Sequence, residues 1–336
     1  MSVQYSRGCP FQCEFCDIIE IYGRVPRTKS NEQMLAELDA LVRIGWRGMV
    51  FIVDDNFIGN TRHVKRLLPV LADWSERHSH PFSFITEASV NLAEDEALLD
   101  GMRRARFRYV FLGIETPVEA SLKEAQKGQN MRGNLLDAVK KIQSYSLQVM
   151  AGFIVGFDHD PEDIFARQIQ FIRESAIPLA MVGLLGALPD TQLWRRLARE
   201  GRLLLESTGN NTDGSLNFIP KMDTARLVEG YQSILRTIYS PGEYYQRALH
   251  CLERVPMWAP EPRRSGLASD VMTLSRIVLA LGVRDRARGE FWRYLRRALT
   301  QHRERLAEAV RLAALGYHCR KLTEGLGKSS RRSYKK

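Results

Sequence analysis

The chain has 336 residues, 44% of them hydrophobic, and a formal net charge of +10. That length and composition suit a globular protein with one large domain and a smaller one, and exclude a disulfide-stapled mini-protein or a low-complexity polymer. No run of about twenty apolar residues is present to cross a membrane, and the start Met1-Ser2-Val3-Gln4-Tyr5 lacks a signal-peptide pattern.

A short strand is expected at Val3 to Ser6, followed at once by Arg7-Gly8-Cys9-Pro10-Phe11-Gln12-Cys13-Glu14-Phe15-Cys16. The C-x3-C-x2-C spacing bunches three thiolates on one loop, and three soft ligands suit a cubane 4Fe-4S cluster with one iron left free of protein. A structural zinc site needs a fourth ligand, and no His or further Cys occurs before His63. A redox dithiol at Cys13 and Cys16 leaves Cys9 unexplained. Cys251 and Cys319 fall on expected helices and read as buried free thiols, which fits a reducing cytoplasm.

Behind the cysteine loop, Ser30 and Gln33 form a capping-box pattern, and Met34, Leu35, Leu38, Leu41 and Val42 line one helical face up to Gly45. Met49 to Val53 is a continuous apolar run, as expected of a strand buried on both sides. Phe82 to Thr86, Tyr109 to Ile114, Val149 to Val155 and Leu179 to Leu185 repeat it, alternating with helical stretches near 62–78, 93–105, 132–145, 162–175 and 190–201. Six βα units with right-handed crossovers predict an α/β fold, a partial (β/α)6 TIM-like barrel over residues 1–202. Such sheets carry their chemistry on loops at the carboxyl ends of the strands. The polar motifs obey that rule: the cysteine loop, Asp54-Asp55-Asn56, Glu87-Ala88-Ser89, Glu115-Thr116, Gly156-Phe157-Asp158 and Gly186-Ala187-Leu188 each follow a strand.

After residue 202 the alternation stops and a mainly α-helical C-terminal domain is expected. It consists of a helical extension over 203–255, opening on a turn-rich loop at 207–215 that is exposed or forms a flap, then a Pro/Trp/Arg linker at 256–266 and further helices over 267–325. A basic, disordered tail is expected at 326–336. Residues 301–336 hold ten Lys or Arg against three acids, so most of the net charge lies there and does not point to nucleic acid. A solvated tail is the default reading, with membrane-peripheral attachment to anionic headgroups as the alternative.

The run Ser6 to Ile19, together with Gly23-Arg24-Val25-Pro26-Arg27-Thr28-Lys29 and Phe51 to Asn60, resembles the radical S-adenosylmethionine (SAM) superfamily, and within it the cobalamin-type proteins that include hopanoid methylases. Residues 203–255, with Gly209-Asn210-Asn211 and Tyr239 to Tyr245, are similar to the helical domain that follows the barrel in that group. The resemblance implies that Cys9, Cys13 and Cys16 hold the cluster and that SAM chelates the open iron, where one electron cleaves it to methionine and a 5′-deoxyadenosyl radical. It implies that Asp54 or Asp55 accepts from the SAM ammonium, where the group's common Gly-Gly-Glu is replaced by Asp-Asp-Asn. It places Glu115 at the ribose, the segments at Ile154 to Gly156 and Leu185 to Leu188 at the adenine, and Glu87 with the other cofactor-side carboxylates. Asp55 as a helix cap, and Glu115 as the partner of a Lys or Arg from a neighbouring loop, stay open as structural alternatives.

Relatives of this type carry an amino-terminal cobalamin domain, and some methylate unactivated carbon. Eight residues precede Cys9 and no Asp-x-His-x-x-Gly signature occurs, so cobalamin, where used, is expected on another polypeptide. The expected activity is carbon methylation of an apolar or lipid-like substrate, with a reductase, flavodoxin or ferredoxin as electron donor. Cobalamin-independent rearrangement or cyclisation and a non-catalytic, cluster-binding partner subunit are the alternatives. Sulfur insertion is disfavoured, since no second cysteine triplet exists.

Overall fold

A computed structural model describes residues 1–204, 215–257 and 267–333, with the side chains of 267–269 and 326–333 outside the description. The loop expected at 207–215 and the linker at 256–266 therefore fall almost wholly outside the described residues, whereas the tail expected to be disordered at 326–336 is helical as far as Ser333.

Six parallel strands form one open sheet in the order β1 (Ser2–Val3), β4 (Gly48–Ile52), β5 (Phe82–Ala88), β6 (Phe107–Glu115), β7 (Gln148–Val155) and β8 (Leu179–Leu184). The first expected strand is divided. Ser2–Val3 joins this sheet, whereas β2 (Ser6–Arg7) pairs antiparallel with β3 (Arg27–Thr28) and clips the cysteine loop between them. Around the sheet lie α1 (Ile18–Tyr22), α2 (Asn31–Arg43), α3 (Thr61–Arg77), α4 (Glu96–Arg104), α5 (Glu119–Glu124), α6 (Leu135–Ser144), α7 (Ile164–Glu174) and α8 (Gln192–Arg199). The reading as a partial barrel holds, and local chemistry explains its helix starts. Ser30 Oγ accepts from Gln33 N at 3.2 Å while Gln33 Oε1 accepts from Ser30 N at 2.9 Å, the reciprocal cap that the sequence pattern predicts. Thr191 caps α8 through Trp194 N at 3.1 Å.

Strand burial alternates rather than being uniform. Val50, Ile52, Phe84, Val110, Leu112 and Val149 are fully buried beneath the helices, but Met49, Val53 and Met181 on the inner face are 39%, 36% and 51% exposed. The expectation of burial on both faces fails because six strands do not close a barrel, leaving an open apolar lumen.

Beyond β8, α9 (Thr224–Ile238) runs down the outside of the sheet to Tyr239, whose hydroxyl donates to Ala180 O at 2.8 Å and accepts from Ala180 N at 3.2 Å. Next come α10 (Pro241–Arg254), α11 (Leu267–Ile277) with a wider π turn over Val278–Arg284, α12 (Arg288–Gln301) and α13 (Leu306–Ser333). A short turn at Arg303–Arg305 separates the last two. Their core is aromatic: Tyr245 and Tyr294 stack at 4.7 Å, and Tyr244 lies against Gly316, whose missing side chain permits the approach. Cys251 and Cys319 are buried free thiols, as expected. Much of the carboxyl-terminal basicity is internal: Arg311 pairs with Glu308, Arg320 with Asp285, and Arg305 donates to carbonyls of Leu252 and Val255.

Candidate active site

The loop bearing the three cysteines is shaped by its own turns and by its neighbours. Gly8 has φ +98°, and a Cβ there would sit 2.9 Å from Gly23 O, so the loop needs a glycine to pass under the 23–25 segment. Cys13 is buried and Cys9 and Cys16 half-buried, each as a free thiol. Burial raises the Cys9 pKa and pushes that of Cys16 to about 12, and the nearby thiols add to both shifts. Cys9 and Cys16 are therefore poor thiolates until a cation compensates them. Two side-chain amides point at the cysteine sulfurs, Asn56 Nδ2 at 3.8 Å from Cys9 Sγ and Gln129 Nε2 at 3.6 Å from Cys13 Sγ. Among the described residues no three His, Cys, Asp or Glu side chains converge as ligands of one metal ion. That disfavours mononuclear zinc but not a cubane, in which each iron takes a single thiolate. Soft donors, amide N–H groups at sulfur and a dry loop fit an iron-sulfur cluster.

The adjacent aspartates are separated by the fold. Asp54 is fully engaged: its carboxylate accepts from Tyr5 N at 2.7 Å, Ser6 N at 2.8 Å and Ser6 Oγ at 2.7 Å, which ties β4 to the start of the cysteine loop. Asp55 accepts from Gly8 N, and its Oδ2 is buried without a partner. The helical turn that follows is not capped by Asp55, since the residue at its cap is Asn56, whose side chain instead links Cys9 to Ser89. Glu87 faces Asp55 from the next strand. Burial, with the Asp55 charge, pushes the Glu87 carboxyl up to about 7.

Glu115 ends β6 with φ +61°, at a break in register between Gly113 and Glu115. A left-handed backbone at a non-glycine residue is costly and persists where its surroundings enforce it. Here Asn130 Nδ2 donates to Gly113 O and Ile114 O, both at 3.0 Å, and Gln168 Nε2 to Glu115 O at 3.1 Å and Ile154 O at 2.7 Å. The bulge folds the Glu115 carboxylate back over Gly113 to pair with Lys127, so the structural alternative for Glu115 is realised in this state. Lys127 is buried 5.7 Å from the Phe15 ring. Its pKa is raised because Glu115 and the thiols of Cys13 and Cys16 outweigh the cost of burying its charge.

Beside this pair opens a cavity of about 270 Å³ lined by Phe15, Phe111, Glu115, Ile154, Met181 and Leu185, among others. Ile154 thus reaches the lumen. Gly156 and Leu188 do not line the cavity: Gly156 N donates to Asp160 Oδ2 at 2.8 Å in a turn at φ +108°, and Leu188 O accepts from Thr191 Oγ1 at 2.7 Å. Sequence reasoning missed Lys127, Gln129, Asn130 and Gln168. The run Lys127-Gly128-Gln129-Asn130 reads as a solvated turn, and no periodicity marks it as buried.

Comparison with known proteins matches residues 3–172 to the radical SAM superfamily model and residues 191–331 to a domain of unknown function, DUF4070. The chain belongs to the radical SAM superfamily. It is therefore an enzyme of a family that uses a 4Fe-4S cluster and SAM. It is 47% identical over 88% of its length to an uncharacterised methyltransferase of Synechocystis, and 38% identical over 89% to the hopanoid C-2 methylase of Rhodopseudomonas palustris. It covers 55% and 57% of those proteins, so it spans little more than half the length of the curated relatives it matches. Its fold is similar to that of TsrM from Kitasatospora setae, solved with cobalamin and a [4Fe-4S] cluster, at a TM-score of 0.60 and 14% identity over 93% of this chain and 61% of that one. The cobalamin-dependent enzyme OxsB gives 0.54 and 15% over 99% and 55%.

Proposed function

We propose that this radical SAM protein methylates a carbon atom of an apolar, lipid-like substrate. The observation that carries the reading is the lumen, where an apolar wall of Phe111, Ile154, Met181 and Leu185 meets a polar rim beside the cysteine loop. Similarity to the hopanoid C-2 methylase supports the same class of substrate.

Cys9, Cys13 and Cys16 would hold the cluster, which when bound supplies the electron that cleaves SAM to a 5′-deoxyadenosyl radical. Asp55, rather than Asp54, offers the SAM ammonium an acceptor, because its Oδ2 is buried and unpartnered while Asp54 is engaged with the backbone. Glu115 is held at the lumen by Lys127 and its bulge, placed to accept from a ribose hydroxyl. Phe15 and the lumen wall exclude water from a reactive centre. The roles given to these residues do not depend on cobalamin.

Anaerobic reconstitution with iron and sulfide, then assay with SAM and dithionite, tests the reading. Wild-type protein is expected to form 5′-deoxyadenosine and Cys13→Ala none. With methyl-labelled SAM, a polycyclic lipid fraction and added hydroxocobalamin, which dithionite reduces so that it takes its methyl group from SAM, the label is expected in the lipid. Label-free products with 5′-deoxyadenosine still formed would replace methylation by rearrangement.

A further inference from the structure

Between Cys13 and Cys16 stands Glu14, an acidic side chain 7% exposed, whose partners come from far along the chain. Arg196 on α8 donates Nε to Glu14 Oε1 at 2.6 Å and Nη2 to Glu14 Oε2 at 3.1 Å, a bidentate fork. Its remaining N–H groups reach Glu124 Oε1 at 3.2 Å, Asp158 Oδ2 at 2.9 Å and Glu200 Oε1 at 3.4 Å. All five guanidinium donors are therefore engaged, and with four separate segments: the cysteine loop, α5, the loop after β7 and the end of α8 itself.

The backbone repeats the connection. Glu14 N donates to Ala125 O at 2.9 Å, Leu193 N donates to Glu14 O at 2.8 Å, and the Phe15 ring lies 6.2 Å from that of Phe157. Arg202 grips Asp158 from the other side at 2.7 and 2.8 Å, and the Asp158 carboxyl falls to about 2 because the bonds from Arg202 and Arg196 outweigh its burial. Among the described residues the Cys9 half is held without an arginine fork: the Asp54 and Asp55 carboxylates take backbone N–H groups of Tyr5, Ser6 and Gly8, and Arg24 Nη2 makes an exposed contact to Pro10 O at 3.1 Å.

We propose that Arg196 is a positioning residue for the iron-sulfur site: through Glu14 it locks the Cys13–Cys16 half of the loop onto the barrel rim and fixes where two of the three ligands stand. The opening stretch of the segment matched by the DUF4070 model then has a function, since α8 and Arg202 complete the cluster pocket of the preceding barrel. The geometry favours retention over catalysis, because Arg196 touches no cysteine and is directed at the loop backbone's neighbour.

This inference rests on the cluster reading above, and the experiment separates the two. Full-length protein is reconstituted anaerobically, and iron release to a ferrous chelator, the spectrum of the dithionite-reduced cluster by electron paramagnetic resonance, and thermal unfolding are recorded. Arg196→Met is expected to release iron about tenfold faster, the scale of effect for residues that orient metal ligands, and to shift the resonance. Arg196→Lys should fall between, and Glu14→Gln/Arg196→Met should be no worse than Arg196→Met, because one residue acts through the other. Arg320→Met, which breaks the Asp285 pair among the helices, should lower thermal stability and leave iron release and resonance unchanged. Wild-type release and spectrum in Arg196→Met, or equally fast loss in Arg320→Met, overturns the proposal while the cluster reading stands. Glu14→Gln keeps the side chain's size, and wild-type iron release in that variant overturns the proposal should Arg196→Met fail to fold. Wild-type protein that takes up no iron or sulfide overturns both.

Discussion

The two ends of the barrel differ in what their buried polar atoms face. At the amino end of the strands the helical region closes the sheet, and many of its polar groups bond to protein, although Gln143 Oε1, Arg247 Nε, His302 Nε2 and Arg320 Nε are buried without hydrogen-bond partners. Arg311 donates to Gln148 Oε1 at 2.9 Å and lies 4.8 Å over the Tyr109 ring, Tyr239 takes both backbone groups of Ala180, and Tyr244 donates to Leu312 O at 2.7 Å. At the carboxyl end, Asp55 Oδ2, Asn130 Oδ1 and Gln168 Oε1 are buried acceptors without partners, and burial pushes the Glu87 carboxyl up to about 7. Native interiors satisfy most buried polar atoms, and what sets the three carboxyl-end acceptors apart is that they gather around the cysteine loop and the lumen, where a donor-bearing ligand would complete them. The amino end is built for stability and the carboxyl end for a guest.

Substitutions at the two ends should therefore separate folding from ligand binding. The largest effect is expected at the amino end. Tyr244→Ala removes a buried ring and its bond to Leu312 O, and should cost about 3–5 kcal/mol in denaturant unfolding while the folded fraction still binds SAM. A loss of SAM affinity in that folded fraction would break the comparison. Next, Asp55→Asn should weaken SAM binding by roughly 10- to 100-fold, read by calorimetry on reconstituted protein. It should not lower the unfolding temperature at neutral pH, because burial already raises the Asp55 pKa and disfavours the charge that the substitution removes. Destabilisation instead would show that the carboxylate serves the fold.

A pH dependence sharpens the same contrast. Glu87 has a folded pKa raised from 4.5 to about 7, so between those values the folded state binds more protons than the unfolded chain. Its contribution is fully favourable below pH 4.5 and is lost as pH rises through 7, a total change of roughly 3 kcal/mol. Glu87→Gln should flatten that part of the stability profile, and an unchanged profile would show that the carboxyl finds solvent or a partner. Smallest, Ser30→Ala removes one half of the reciprocal cap on α2 and touches neither the cysteines nor the lumen; it should cost about 1 kcal/mol with SAM binding untouched.

How much of this was legible beforehand follows the range of the interactions. The βα alternation, the α2 cap and the cysteine spacing are patterns within a few residues, and the fold reproduces them. The choice between Asp54 and Asp55 was not legible, because neighbouring carboxylates look alike until the pleat sends one to the backbone of Tyr5 and Ser6 and leaves the other facing Glu87. The resemblance puts Gly156 and Leu188 at the adenine, and what the sequence did not show is that Gly156 N is taken by Asp160 in a turn and Leu188 O by Thr191. The open lumen also escaped the apolar runs, since hydrophobicity does not distinguish a side chain under a helix from one lining a cavity.

The sequence by itself determined the chemistry on offer, three thiols on the loop after the first strand and acids at the carboxyl ends of four of the five strands that follow, because ligand type and strand period are local properties. Tertiary structure alone decided that Lys127 pairs with Glu115 beneath the cysteines, that Asp55 keeps an unpartnered oxygen, and that Arg196 reaches Glu14 across 182 residues. Those depend on which side chains the closing sheet brings within hydrogen-bonding distance, and a charge in sequence carries no mark of the partner it will meet.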